Sequence, residues 1–230
     1  MWSGPRNIST AMMRSWGNRA DTAVIDEPFY AFYLKQTGKA HPGSDEIVAQ
    51  CETDLHNIIA ALTGPVPGGR SVFYQKQMTH HLLPEVSREW LCQMTNCFLI
   101  RNPAEVIASY VKKHDVDLTI VDLGFEQQLE IFNSIGGFVI DATDVLKNPE
   151  RMLRLLCEAV GVEFDEAMLS WPPGIRETDG IWAKYWYEEV ARSTSFQPYA
   201  ERSQEVPERF REIHERCREC YEQLYRYRLK

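Results

Sequence analysis

The segment that most constrains this chain is its first fourteen residues, Met-Trp-Ser-Gly-Pro-Arg-Asn-Ile-Ser-Thr-Ala-Met-Met-Arg. Ser3, Gly4 and Pro5 are turn formers, and Asn7 tolerates an unusual backbone angle. Ser9 and Thr10 bring hydroxyls to the point where Ala11, Met12 and Met13 begin a helical run. A loop feeding a helix in this way is an anion site. The first backbone N–H groups of a helix lack partners, and its dipole concentrates about half a positive charge there. Arg6 adds a full charge. The pattern G-x-x-x-x-G-K-S/T is not met, because Ile8 stands where Gly is needed and Ser9 where Lys is needed. Taken alone, the stretch also reads as an ordinary loop and cap before an amphipathic helix.

A phosphate loop hangs from the end of a buried strand. Only Met1 and Trp2 precede this one, so the first strand is expected to be missing from the chain as given. The run Thr22–Asp26 predicts a buried parallel strand whose exit loop begins at Glu27, and the carboxyl ends of such strands face ligand crevices. Phe29, Tyr30, Phe32 and Tyr33 follow as either core or acceptor pocket. The apolar spacing of residues 45–62 predicts one helix, and Pro65 and Pro67 break it. Residues 71–75 predict a strand with Lys76 at its end. His80 and His81, adjacent in a polar loop, read first as surface residues, and a helix is expected through Glu89 and Trp90. Cys97–Ile100 is the clearest strand. It ends at Arg101, and Asn102 and Pro103 open a helix that carries Ser109. Residues 137–140 form a further strand, Pro149 starts a helix with Met152, Leu155, Leu156, Ala159 and Val160 on one face, and Gly161 ends it.

The net charge of −8 over 230 residues argues against a nucleic-acid binder held by phosphate contacts. An anionic ligand must be met by local charge. Apolar content of 44 % with 25 % charged residues is that of a globular protein. No apolar stretch approaches the ~20 residues of a membrane span, and no leader pattern opens the chain, so a cytoplasmic protein with no membrane partner is expected. Six cysteines without a framework spacing read as thiols. Cys217 and Cys220, one turn from His214, lack the second pair that zinc spacing demands, so they read as packing and no metal is expected. The apolar stripe of residues 207–229, running through Phe210, Ile213, Cys217, Cys220, Tyr221 and Leu224, predicts a docking or homodimer helix.

Three stretches in order resemble one family. Arg6, Asn7, Ile8, Ser9 and Thr10 resemble the 5′-phosphosulfate loop of sulfotransferases, usually Lys-Ser-Gly-Thr-Thr, with Ile8 departing from the Gly. Arg101 to Ser109, Arg-Asn-Pro-Ala-Glu-Val-Ile-Ala-Ser, resembles their R-x-P-x-x-V-x-x-S element, whose Arg and Ser grip a 3′-phosphate. Residues 141–168 resemble Y-E-D-L-x-x-x-P-x-x-x-L-x-x-L-x-x-F-L-G-x-x-F. The family's late R-K-G-x-x-G-x-W loop is absent, and the aromatic stretch Trp182, Tyr185, Trp186 and Tyr187 stands in the region that would cover the site.

The resemblance implies a P-loop-like three-layer α/β fold, a central parallel β-sheet flanked by helices plus a C-terminal helical part. Residues 1–230 would form one domain, with a nucleotide-binding core over 1–168 and an aromatic cap and C-terminal helix over 169–230. It implies transfer of a sulfuryl group from 3′-phosphoadenosine 5′-phosphosulfate (PAPS) to a small-molecule acceptor, with no metal. Arg6, Asn7, Ile8, Ser9 and Thr10 would hold the 5′ end, and Arg101 and Ser109 the 3′-phosphate. Glu27 is the candidate base, with Lys76 or His80 as helper or substitute. Two other readings stay open: a nucleotide-dependent kinase using an Asp at the end of Phe138–Asp141, and a non-catalytic nucleotide-binding protein.

Overall fold

The computed structural model describes residues 1–113, 118–201 and 205–230. Five strands among them, β1 (Trp2–Ser3), β2 (Thr22–Asp26), β3 (Val72–Met78), β4 (Cys97–Ile100) and β5 (Phe138–Asp141), make one sheet in the order β2, β3, β1, β4, β5. Every pairing is parallel. The strand expected to be missing is therefore present as two residues at the centre of the sheet. Trp2 lies beside Gln77 on one side and Phe98 on the other. Two residues suffice because the neighbouring strands and a buried Trp2 side chain, whose indole donates to Asn96 Oδ1 at 2.9 Å, hold them in place.

Alternation along the strands separates two apolar layers. Cys97, Leu99 and Ile140 face a core built with Met12, Met13 and Trp16 of the Ser9–Gly17 helix and Met152, Leu153 and Leu156 of the Pro149–Val160 helix. Phe98, Ile100 and Val139 face the opposite core, with Ile58, Leu62, Ile131 and Leu224. The Pro149 and Gly161 signals hold: Asn148 caps the first turn, and Gly161 closes the helix with φ 72°, a left-handed angle that favours glycine.

Several expected elements differ. Residues 45–62 form two helices, Ser44–Gln50 and Leu55–Thr63, because Asp54 caps a new start by accepting from Asn57 N. The strand expected over 71–75 runs on to Met78, which places Lys76 inside it. Glu89–Gln93 is a short 3-10 turn. The C-terminal helix, Arg211–Tyr225, docks within the chain through part of its stripe, as Cys217, Cys220 and Leu224 are buried against the Pro103–Lys113 and Phe125–Ile135 helices. Burial pushes the Cys217 thiol up to about 12, as expected of packing thiols. Among the described residues no group of three or more His, Cys, Asp or Glu is placed to hold a metal, and no helix is long and apolar enough to cross a membrane.

Candidate active site

In a parallel sheet all carboxyl ends share one edge, so the residues that follow β1, β2, β3 and β4 converge there. A cavity of about 580 Å³ opens at this edge, lined by Arg6 to Ala11, Glu27, Lys76, His80, His81, Arg101 and Ser109 among others. Its size lies in the ordinary range for a small-molecule site, about 300–1,000 Å³. Arg6 to Thr10, Glu27, Lys76, His80, Arg101 and Ser109, the residues that the resemblance implied, all line it. The sites differ in how they are held.

The loop from Gly4 to Ile8 is stapled by Asn7, whose Nδ2 donates to Leu99 O at 2.8 Å and whose Oδ1 accepts from Ile8 N at 2.9 Å. The unusual backbone angle falls on Arg6 (φ 55°), not on Asn7. Ile8 sits at φ −82°, ψ 23°, a conformation open to any side chain, so this path has no need of the family's glycine. No side chain caps the helix that follows, and Ser9, Thr10 and Ala11 of its first turn border the cavity. Arg6 Nε donates to Ser109 Oγ at 3.0 Å across 103 residues, and an Arg101 Nη donates to Arg6 O at 2.9 Å. Burial lowers the Arg6 guanidinium from its usual value, and Glu189 opposes that shift. Arg101 also grips Glu105 at 2.9 Å, and Glu105 accepts from the Tyr199 hydroxyl at 3.0 Å. An anion reaching Arg101 must therefore share it with Glu105.

On the floor of the cavity Glu27 is the second non-glycine residue with positive φ (41°) among the described residues. Such angles cost about 1–3 kcal/mol and collect at functional sites. Glu27 pairs with Lys76, which also contacts Asp26 Oδ1 at 2.9 Å and the Tyr187 hydroxyl at 2.6 Å. Burial works against the Lys76 charge, yet Asp26 and Glu27 hold it well above its ordinary value, so it stays an ammonium. Burial, joined by the Asp26 charge, raises Glu27 although Lys76 pulls the other way. Two carboxyl groups share one ammonium, and of the two Glu27 is the one that lines the cavity.

His80 and His81 are buried, contrary to the surface reading, because Thr79–His81 turns inward after β3. Burial pushes His80 down to about 3 and His81 well below its ordinary value, so both rings are neutral near pH 7. The His81 ring stacks between Tyr30 (4.7 Å) and Tyr33 (4.8 Å), and its Nδ1 lies 3.9 Å from Glu27 Oε2. The aromatic cluster thus divides: Phe29 and Phe32 belong to the core, whereas Tyr30 and Tyr33 also line the cavity. Asp141, the magnesium ligand of the kinase reading, caps the Ala142–Lys147 helix and accepts from the Tyr221 hydroxyl at 2.9 Å, away from the cavity lining. The residues missed in sequence are Asp26, Tyr187 and Glu105. Asp26 ends the strand that exposes Glu27, and Tyr187 lies in the aromatic stretch, so each had a local signal without a visible partner.

Residues 1–211 match the family model described as "Sulfotransferase domain". The chain belongs to the sulfotransferase domain family. It is 32 % identical over 211 residues to branched-chain-amino-acid aminotransferase-like protein 2 of Arabidopsis thaliana, covering 90 % of this chain and 37 % of that protein. With the like-named protein 1 of the same organism it shares 33 % over 201 residues, 85 % of this chain and 36 % of the relative. It therefore spans little more than a third of the length of these curated relatives. Among solved structures it resembles the sulfotransferase domain from the curacin biosynthetic pathway (TM-score 0.59, 14 % identity, 100 % of this chain and 97 % of that one). It also resembles the sulfotransferase domain of the Synechococcus PCC 7002 olefin synthase (TM-score 0.53, 15 % identity, 100 % and 94 %). At such identities the likeness concerns the fold: a parallel sheet flanked by helices is common to the family members and this chain.

Proposed function

We propose that this sulfotransferase-family domain transfers a sulfuryl group from PAPS to a hydroxyl or amine of a small-molecule acceptor. The observation that carries the reading is the Arg6 to Ser109 hydrogen bond, which joins the loop before the first helix and the Arg101–Ser109 element into one wall of one cavity. Two guanidinium groups on that wall supply local positive charge in a chain whose net charge is −8. That donor set suits a ligand with phosphates at two ends. Bound there, PAPS supplies the sulfuryl group. Arg6, Ser9, Thr10 and the first helical N–H groups would hold its 5′ end and stabilise charge on the leaving phosphate. Arg101 and Ser109 would hold the 3′-phosphate.

Glu27 would take the acceptor proton. Its raised proton affinity brings a carboxylate closer to neutral pH, where a general base works best. His80 and His81, kept neutral, border the same space as proton acceptors of low basicity. The Tyr30 and Tyr33 rings make the acceptor end partly apolar.

Paired calorimetric titrations test the donor. A hydrogen bond to a charged group contributes roughly 1.5–3 kcal/mol, so adenosine 3′,5′-bisphosphate should bind at least about tenfold tighter than AMP. Arg101→Ala should erase most of that preference. Equal binding of AMP by the wild type would overturn the PAPS reading, and a requirement for magnesium and ATP would favour the kinase.

A further inference from the structure

We propose that Asp26 and Tyr187 are positioning residues that lock the Lys76 ammonium onto Glu27, so that Lys76 acts on the reaction only through Glu27. An ammonium has three N–H donors. Those of Lys76 meet three acceptors: Asp26 Oδ1 at 2.9 Å, the Tyr187 oxygen at 2.6 Å and Glu27 Oε1. None is left for a ligand. The Tyr187 hydroxyl oxygen lies 2.7 and 2.8 Å from the two Asp26 carboxylate oxygens and 3.5 Å from Glu27 Oε1, so its one hydrogen is shared between the two carboxyl groups. Asp26 Oδ2 accepts in addition from Gly180 N at 3.1 Å.

The Asp26 and Lys76 side chains are each 1 % exposed, so these contacts are shielded from solvent. Gly180 and Tyr187 come from the C-terminal third, whereas Asp26, Glu27 and Lys76 belong to the sheet edge. Docking of the segment that carries Gly180 and Tyr187 therefore completes the setting of Glu27. Among the described residues, the titratable groups that act on Glu27 are Lys76, Asp26, Tyr187, His81 and Tyr30. Of these, the Asp26 carboxyl group opposes charge on Glu27, and the Tyr187 hydroxyl supports it.

The catalytic consequence rests on the reading of Glu27 as base, but the lock itself does not. Protein labelled with ¹³C at the glutamate carboxyl carbon is titrated by NMR as wild type, Asp26→Asn and Tyr187→Phe, with Glu27→Gln to assign the resonance. Removing the neighbouring negative charge in Asp26→Asn should lower the Glu27 titration by at least about half a unit. Tyr187→Phe should move it the other way, with the acid limb of kcat/KM following and nucleotide Kd unchanged. Loss of structure alone would not produce opposite signs. Folded variants whose Glu27 does not move, or moves in one common direction, overturn the lock. Tyr187→Phe, which deletes one oxygen, decides alone if Asp26→Asn does not fold. The titration needs neither nucleotide nor turnover, so a wild type indifferent to adenosine 3′,5′-bisphosphate overturns the donor reading and not this one.

Discussion

Arg6 and Glu27 are the two non-glycine residues held at positive φ among the described residues, and both face the cavity. A backbone angle that glycine adopts freely makes Arg6→Gly a direct test of what the arginine is for. The substitution removes strain of about 1–3 kcal/mol along with the Ser109 hydrogen bond. Thermal stability should hold or rise slightly, while affinity for adenosine 3′,5′-bisphosphate falls more than about tenfold. Unchanged affinity would take Arg6 out of the binding wall. Glu27→Gln keeps the shape and removes the base, so turnover should fall by about two to four orders of magnitude with nucleotide binding near normal. Because Glu27 must be ionised to accept a proton and burial raises its pKa, activity should be lost as pH falls through a value above the ordinary carboxylate pKa of ~4.3. An acid limb at or below that value would move the base to His80 or His81.

At the scale of elements, the loop's path depends on how closely it runs past the 118–124 segment. A Cβ added at Gly4 would stand 2.5 Å from the Leu123 carbonyl oxygen, and backbone cannot yield as the end of a flexible side chain can. Gly4→Ala should therefore cost about 1–3 kcal/mol in a denaturant melt and weaken nucleotide binding, because it displaces the loop that leads to Arg6. A variant as stable and as tight-binding as the wild type would show that the loop moves without cost. The Pro149–Val160 helix was legible because its signals are local: Asn148 and Pro149 at the start, an apolar face, and Gly161 at the end. Residues 45–62 misled for the same reason. Their apolar spacing continues through residues 51–54, where the Asp54 cap decides in favour of a second helix.

At the scale of the whole molecule, the C-terminal third is tied to the Ser9–Gly17 helix by a buried ion pair, Arg14 to Asp179 at 2.6 Å, with side chains 1 % and 0 % exposed. Arg14 belongs to the helix that follows the loop, and Asp179 directly precedes Gly180, the donor to Asp26. Removing one partner of a buried pair leaves the other charge uncompensated. Asp179→Ala should lower stability by about 3–5 kcal/mol in urea melts. Removing Glu188 from its exposed pair with Arg192 should leave the melt nearly unchanged. Equal effects would mean that the segment is docked by its aromatic side chains alone. Trp182 and Tyr187, both buried, are the residues that would then carry it.

The sequence by itself determined the elements whose causes lie within a few residues. The loop opening onto the Ser9–Gly17 helix, the apolar strand ending at Arg101, the Pro103 start and the Pro149 to Gly161 helix were all set by turn formers, caps and spacing. The three motifs in their order also sufficed to point to the family. Tertiary structure alone decided that two residues, Trp2 and Ser3, make a central strand, since a strand that short exists only through its neighbours on both sides. It also decided that His80 and His81 are buried, and that Lys76 is saturated by Asp26, Glu27 and Tyr187. Those outcomes depend on hydrogen bonds and burial between residues as much as 161 positions apart. Such pairings follow from the order of strands in the sheet, and local propensity carries no information about which distant group will stand opposite.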